Sequence, residues 1–194
     1  FRSGLSRVAC AVVVALLAAH FAYQGLRVVA LPGEQIVASN VVIDDGFYYL
    51  QVARNLARGY GSTFDRINRT NGYQPLWALA LVPIYWCTDD EMTGMKAVLV
   101  LAVLFSVAGM LLLYAGLQRM VGLGTALAVS AVISFSPYFP GVLMMGMETQ
   151  MLLATTGGLV AYWALRAGAV FAGRRRACIV LGLLLAAVIL SRVD

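Results

Sequence analysis

The sequence predicts an all-α fold, a polytopic membrane helix bundle of about five transmembrane helices, with a long external first loop that contains short interfacial helices. Three observations predict it. Apolar residues make up 61% of the 194 and charged residues 12%, with a mean hydropathy of +0.84, a balance that a water-soluble core of this size does not need. Several apolar stretches are long enough to cross about 30 Å of hydrocarbon as helices rising about 1.5 Å per residue. The charges sort onto two faces once those helices are drawn.

The first span covers about residues 8–31, behind Arg2 and Arg7. It is longer than the apolar core of a signal peptide and lacks a clean small-residue cleavage site, so it reads as a retained anchor. The other spans run about 97–117, 121–139, 147–166 and 177–193. Cys10, Cys87 and Cys178 are scattered, without disulfide or metal spacing, and read as small apolar residues. The chain starts at Phe1 and stops at Asp194 directly after an apolar run, the pattern expected of the N-terminal part, residues 1–194, of a longer membrane module. No internal repeat or low-complexity tract stands out.

Residues 75–87 are apolar, yet too short to span. If they crossed, Arg119 would lie outside and the remaining charges would scatter. Laid at the outer interface, as Trp77, Trp86 and the internal Pro83 suggest, they leave Arg2, Arg7, Arg119, Arg166 and Arg174 to Arg176 all cytoplasmic. The carboxylates of Glu34, Asp44, Asp45, Asp65, Asp89, Asp90, Glu91, Glu148 and Asp194 then all come out at the external face. The first loop, about residues 32–96, is external in this arrangement and the N-terminus cytoplasmic. The net charge of +5 follows from these arginines plus a basic set within the large loop, and nothing in the sequence resembles a nucleic-acid-binding module.

Residues 44–60 read as a short helix that starts on Asp and stops at Gly59. At 100° per residue Tyr49, Val52, Ala53, Leu56 and Ala57 share one face, with Leu50 at its margin. Tyr48, Gln51, Arg54, Asn55 and Arg58 fall on the other, which is expected to look into an aqueous cavity while the apolar side meets lipid or the bundle. Asp44 and Asp45 at its head can accept protons, ligate a divalent cation or cap the helix. The loop continues through Asn71, Gly72, Tyr73 and Gln74, turn formers and amide or aromatic groups that suit carbohydrate, while Arg54, Arg58, Arg66 and Arg69 could hold a phosphate.

Asp44-Asp45-Gly-Phe-Tyr-Tyr-Leu-Gln-Val-Ala-Arg54-Asn55, followed by Thr70-Asn71-Gly72-Tyr73-Gln74-Pro75-Leu76-Trp77, resembles the first external loop of GT-C glycosyltransferases that use polyprenyl-phosphate-linked sugars. Gly146-Met147-Glu148-Thr149 and the terminal Ser191-Arg192-Val193-Asp194 also resemble that pattern. The resemblance implies an inverting glycosyl transfer, in the bacterial plasma membrane, from a polyprenyl-phosphate sugar donor to a glycan, lipid or protein acceptor. It implies Asp45 as the catalytic or metal-binding aspartate, Asp44 as its neighbour and Glu148 as the second acidic group. Where distant relatives, the bacterial oligosaccharyltransferases, carry two aspartates, this chain has the single Glu148, and the similar lipid-phosphomannose and lipid-phosphoarabinose transferases include metal-free enzymes. A divalent cation, Mg or Mn, would sit on Asp45 and Glu148. Tyr48, Gln51, Arg54, Asn55, Arg58, Asn71, Tyr73, Gln74, Glu148, Arg192 and Asp194 are the implied substrate-binding set. His20, Gln24 and Arg27 on the first helix fit a second class, a transporter of lipid-linked sugars or ions, and a non-catalytic assembly subunit is the third.

Overall fold

The computed structural model describes residues 2–193, with side chains described for all of these except residues 2–7 and Pro140. The chain order is α1 (Arg2–Val29), α2 (Gly33–Ala38), α3 (Asp44–Ala57), α4 (Pro75–Cys87), α5 (Glu91–Met120), α6 (Leu123–Phe135), α7 (Tyr138–Leu143), α8 (Thr149–Phe171) and α9 (Arg175–Ser191). Among the described residues there is no strand; Thr63 and Arg69 make one isolated antiparallel bridge. The all-α fold is therefore as the sequence predicts.

Among the described residues, two helices are long and apolar enough by themselves to cross a membrane: Val8–Val29 within α1, and α5. The span expected over 121–139 breaks because Ser136 precedes Pro137. Proline's ring disfavours the helical conformation of the residue before it, and Ser136 is extended (φ −64°, ψ 125°). α6 is left with 13 residues, about 20 Å of helix. α8 has 23 residues, but Thr149, Gln150, the Thr155-Thr156-Gly157-Gly158 run and Arg166 dilute its apolar character. α9 has 17 residues.

α5 forms the axis of the bundle. It begins well before the expected residue 97, because Asp90 caps it by accepting a hydrogen bond from the Thr93 N–H at 2.7 Å. α8 runs parallel to it at a spacing that only glycine permits. A Cβ on Gly157 would lie 2.5 Å from the Gly109 carbonyl oxygen, and one on Gly116 would meet Val160 Cγ1 at 2.8 Å. α9 returns antiparallel along α8, tied by Tyr162 to the Ala177 carbonyl at 3.0 Å and by Thr155 to Ser191 at 3.3 Å. α1 lies antiparallel to α5, with Ser134 of α6 donating to the Leu17 carbonyl at 3.1 Å.

This threading gives the bundle two chemically different ends. Arg119 closes α5, and Arg174, Arg175 and Arg176 open α9 at the same end. At the other end lie α2, α3, α4 and the turn before α8, with every described carboxylate: Glu34, Asp44, Asp45, Asp65, Asp89, Asp90, Glu91 and Glu148. Asp194 lies outside the described residues.

Candidate functional site

α3 is where the sequence places the chemistry, and its start differs from expectation in one respect. Ile43, extended at φ −84° and ψ 169°, holds the N-cap position, and no side chain caps the helix. Asp44 and Asp45 are the first two helical residues. Their charge favours the positive end of the helix dipole, but neither caps it, so both carboxylates are exposed and available. They line, with Asn40 and Ile43, a cleft of about 400 Å³. The helix stops as predicted at Gly59, which takes a left-handed φ of 78°.

The head of α3 is fixed from the other side by the turn before α8. The Ile43 N–H donates to the Met145 carbonyl at 3.4 Å, and a Cβ on Gly46 would overlap that same carbonyl. Trp77 of α4 donates its indole N–H to the Gly146 carbonyl at 2.9 Å. Trp77 is thus a fully buried anchor (0% exposed) rather than an interfacial residue, since its ring completes the core of Ile36, Leu50, Leu81 and Leu99. Trp86 is 70% exposed and donates to the Ala57 carbonyl at 3.1 Å.

These contacts bring the Glu148 turn against the aspartate-bearing helix. Glu148 is 3% exposed, and its Oε2 has no hydrogen-bond partner, a costly state for a buried carboxylate oxygen. The C-terminal segment arrives at the same end: the Val193 N–H donates to Gln74 Oε1 at 2.6 Å, and Arg192 beside it is exposed. Among the described residues, no three His, Cys, Asp or Glu side chains group closely enough to hold a metal ion. The acidic set gathered here does not form a ready cage.

The polar face of α3 is only partly open: Gln51 and Arg54 line a cavity of about 250 Å³ with Phe64, Tyr85 and Met95. Residues 61–74 fold back over this face and take up its side chains. Asn55, 0% exposed, donates to the carbonyls of Thr63 and Phe64, both at 2.9 Å. Its Oδ1 accepts from Arg66 Nε at 3.3 Å. Gln51 donates to the Phe64 carbonyl at 3.4 Å. Tyr48 pairs its hydroxyl with Thr70 Oγ1 and stacks on Phe64 with ring centroids 5.3 Å apart. Tyr73 bonds Ser62 at 2.8 Å. The buried Asn55 amide thus ties α3 to the loop through these carbonyls. The apolar face, likewise, packs Tyr49, Leu50 and Ala53 against Trp77, Ala78, Leu81 and Tyr85, not against lipid.

Both arginines of α3 are already paired. Arg54 binds the Glu91 carboxylate and, at 3.1 Å, the Asp89 carbonyl; Arg58 binds the Asp89 carboxylate. Asp65 organises the loop tip by accepting from the backbone N–H groups of Asn68 at 2.7 Å and Ile67 at 2.8 Å. These bonds hold its carboxyl well below the usual carboxylate range. Asn71 remains exposed at the surface. Asn40 is the site residue that sequence reading passes over. Its left-handed φ of 51°, which Asn tolerates better than most residues, turns the chain into the acidic cleft, and the Ser39-Asn40 pair after α2 is the only signal of it.

No family model, curated protein or solved structure matches this chain.

Proposed function

We propose that this chain is part of a membrane glycosyltransferase of the GT-C type, which moves a sugar from a polyprenyl-phosphate donor to an acceptor on the non-cytoplasmic face. The observation that carries the reading is the exposed pair Asp44 and Asp45, aligned on a cleft of about 400 Å³ at the acidic end of a bundle whose opposite end holds Arg119 and Arg174 to Arg176. Basic residues near helix ends favour the cytoplasm, which supports an external cleft. Large apolar side chains exposed along the flanks, among them Leu16, Leu104, Val132, Phe135 and Leu183, suit hydrocarbon rather than water. In this reading α1, α5, α6 with α7, α8 and α9 make the five crossings.

In the reaction, the acceptor hydroxyl gives its proton to the Asp45 carboxylate as its oxygen attacks the anomeric carbon. The bond from that carbon to the phosphate oxygen breaks, and its electron pair leaves with the phosphate. A phosphate is already a stable leaving group, so a cation beside it contributes more than a proton donor. Asp44 keeps the local field negative and orients the acceptor. The buried Glu148 supports the turn against which α3 is set. The polyprenyl tail lies along the apolar flanks.

The test is transfer itself. The full-length protein in proteoliposomes is supplied with radiolabelled polyprenyl-phosphate sugar and candidate acceptors on the outer face. Release of polyprenyl phosphate together with a labelled product supports the reading; an intact donor under all acceptors contradicts it.

A further inference from the structure

Beside the acidic cleft lies a second cavity, of about 500 Å³, whose walls include Gln24, Arg27, Val28, Asn40 and Met144. Asn40 lines both spaces, so the two are neighbours across one side chain. A volume of this size falls within the range of small-molecule sites, about 300–1,000 Å³. Its position is specific, since α1 ends at Val29 and Gln24 and Arg27 stand on that helix's last turns, at the edge of the apolar span Val8–Val29.

Arg27 is the cation on this cavity's wall. Arg54 and Arg58 are occupied by Glu91 and Asp89, and Arg66 lies over the Tyr60 ring at 4.6 Å while bonding Asn55. Arg27 is exposed and makes no ion pair among the described residues; its guanidinium lies 5.8 Å from the Tyr23 ring centre. A cation and amide donors on one wall, with Val28, Leu31 and Met144 on the others, fit an anion carried on an apolar chain. A guanidinium matches a phosphate in shape as well as charge.

We propose that this cavity holds the phosphate of a phosphate-bearing amphiphile, with Arg27 as its principal ligand and Gln24 and Asn40 beside it. The occupant is the lipid donor, whose sugar then reaches across Asn40 into the Asp44–Asp45 cleft while its tail leaves along α1. The proposal rests on the glycosyl-transfer reading and replaces Arg54 and Arg58 as the phosphate contacts.

The experiment measures binding of sugar-free polyprenyl phosphate to the full-length protein in nanodiscs of neutral lipid. Arg27→Ala and Arg27→Gln are each expected to weaken binding about tenfold or more, Arg27→Lys to retain most of it and Arg175→Ala, at the opposite end of the bundle, to leave it unchanged. Neutral polyprenol should not compete, and inorganic phosphate should compete only at far higher concentration. Equal binding by wild type and Arg27→Gln overturns the proposal. So does phosphatidylglycerol competing as well as polyprenyl phosphate, because the cavity then takes ordinary lipid headgroups. Arg27-dependent binding with no transfer by the wild type leaves this site standing and contradicts only the proposed reaction.

Discussion

The indole N–H of Trp77 donates to the backbone carbonyl of Gly146 across 69 positions of sequence, at 2.9 Å and in the absence of solvent. That bond joins the helix after the long loop to the turn that carries Glu148. Trp77→Phe keeps much of the ring volume but leaves a buried carbonyl without its donor, at a cost of about 1–3 kcal/mol. Trp77→Ala adds a cavity and costs about 3–5 kcal/mol. Equilibrium unfolding in detergent checks both, and a Trp77→Phe variant as stable as wild type would deny the hydrogen bond any role.

Gly46 sits where α3 meets the Met145 carbonyl, with no room for a Cβ. Gly46→Ala therefore forces α3 away from the Glu148 turn, with a loss of about 1–3 kcal/mol. A variant as stable as wild type would show that the two elements are not held in this contact.

The loop's acidic anchors set a pH dependence. Hydrogen bonds from Asn68 and Ile67 to Asp65, and from Thr93 to Asp90, lower both carboxyls below their ordinary values. A depressed folded value means that the stabilisation is present above the unfolded carboxyl range, about 3.9, and fades as the pH falls through the folded values. Amide exchange at Ile67, Asn68 and Thr93 should therefore stay slow, after correction for its intrinsic rate, near pH 5 and quicken toward about pH 2. Protection that persists in acid would contradict these contacts.

Native cysteines report the topology. Cys87 ends α4 at the acidic end and Cys178 lies in the first turn of α9, beside Arg174 to Arg176; both are exposed. In intact cells a membrane-impermeant maleimide should label Cys87 and spare Cys178, and permeabilisation should expose Cys178. The reverse pattern would invert the bundle and put the Asp44–Asp45 cleft in the cytoplasm.

How much of this was legible in the sequence depends on range. Local signals held: α4 spans residues 75–87 as read, Gly59 stops α3, and all described carboxylates collect at one end because charge sorts with helix direction. Long-range contacts were not legible. Helical periodicity put Asn55 on the open polar face of α3, but periodicity cannot show that residues 61–74 cover that face and bury the amide. Trp77 and Trp86 look alike in sequence; only the arrival of Gly146 makes one a core residue. Arg54 and Arg58 were read as phosphate ligands because nothing local reveals that Asp89 and Glu91, more than 30 positions on, come to meet them.

The central claim is that Asp45, at the open cleft, takes the acceptor's proton. The most direct measurement compares transfer from polyprenyl-phosphate sugar by full-length wild type, Asp45→Asn and Asp44→Asn, reconstituted with equal folded protein. Loss of a general base costs about 10²–10⁴-fold in rate, so Asp45→Asn is expected to fall by that much while donor binding is kept, and Asp44→Asn by far less. Unchanged turnover in Asp45→Asn would contradict the assignment.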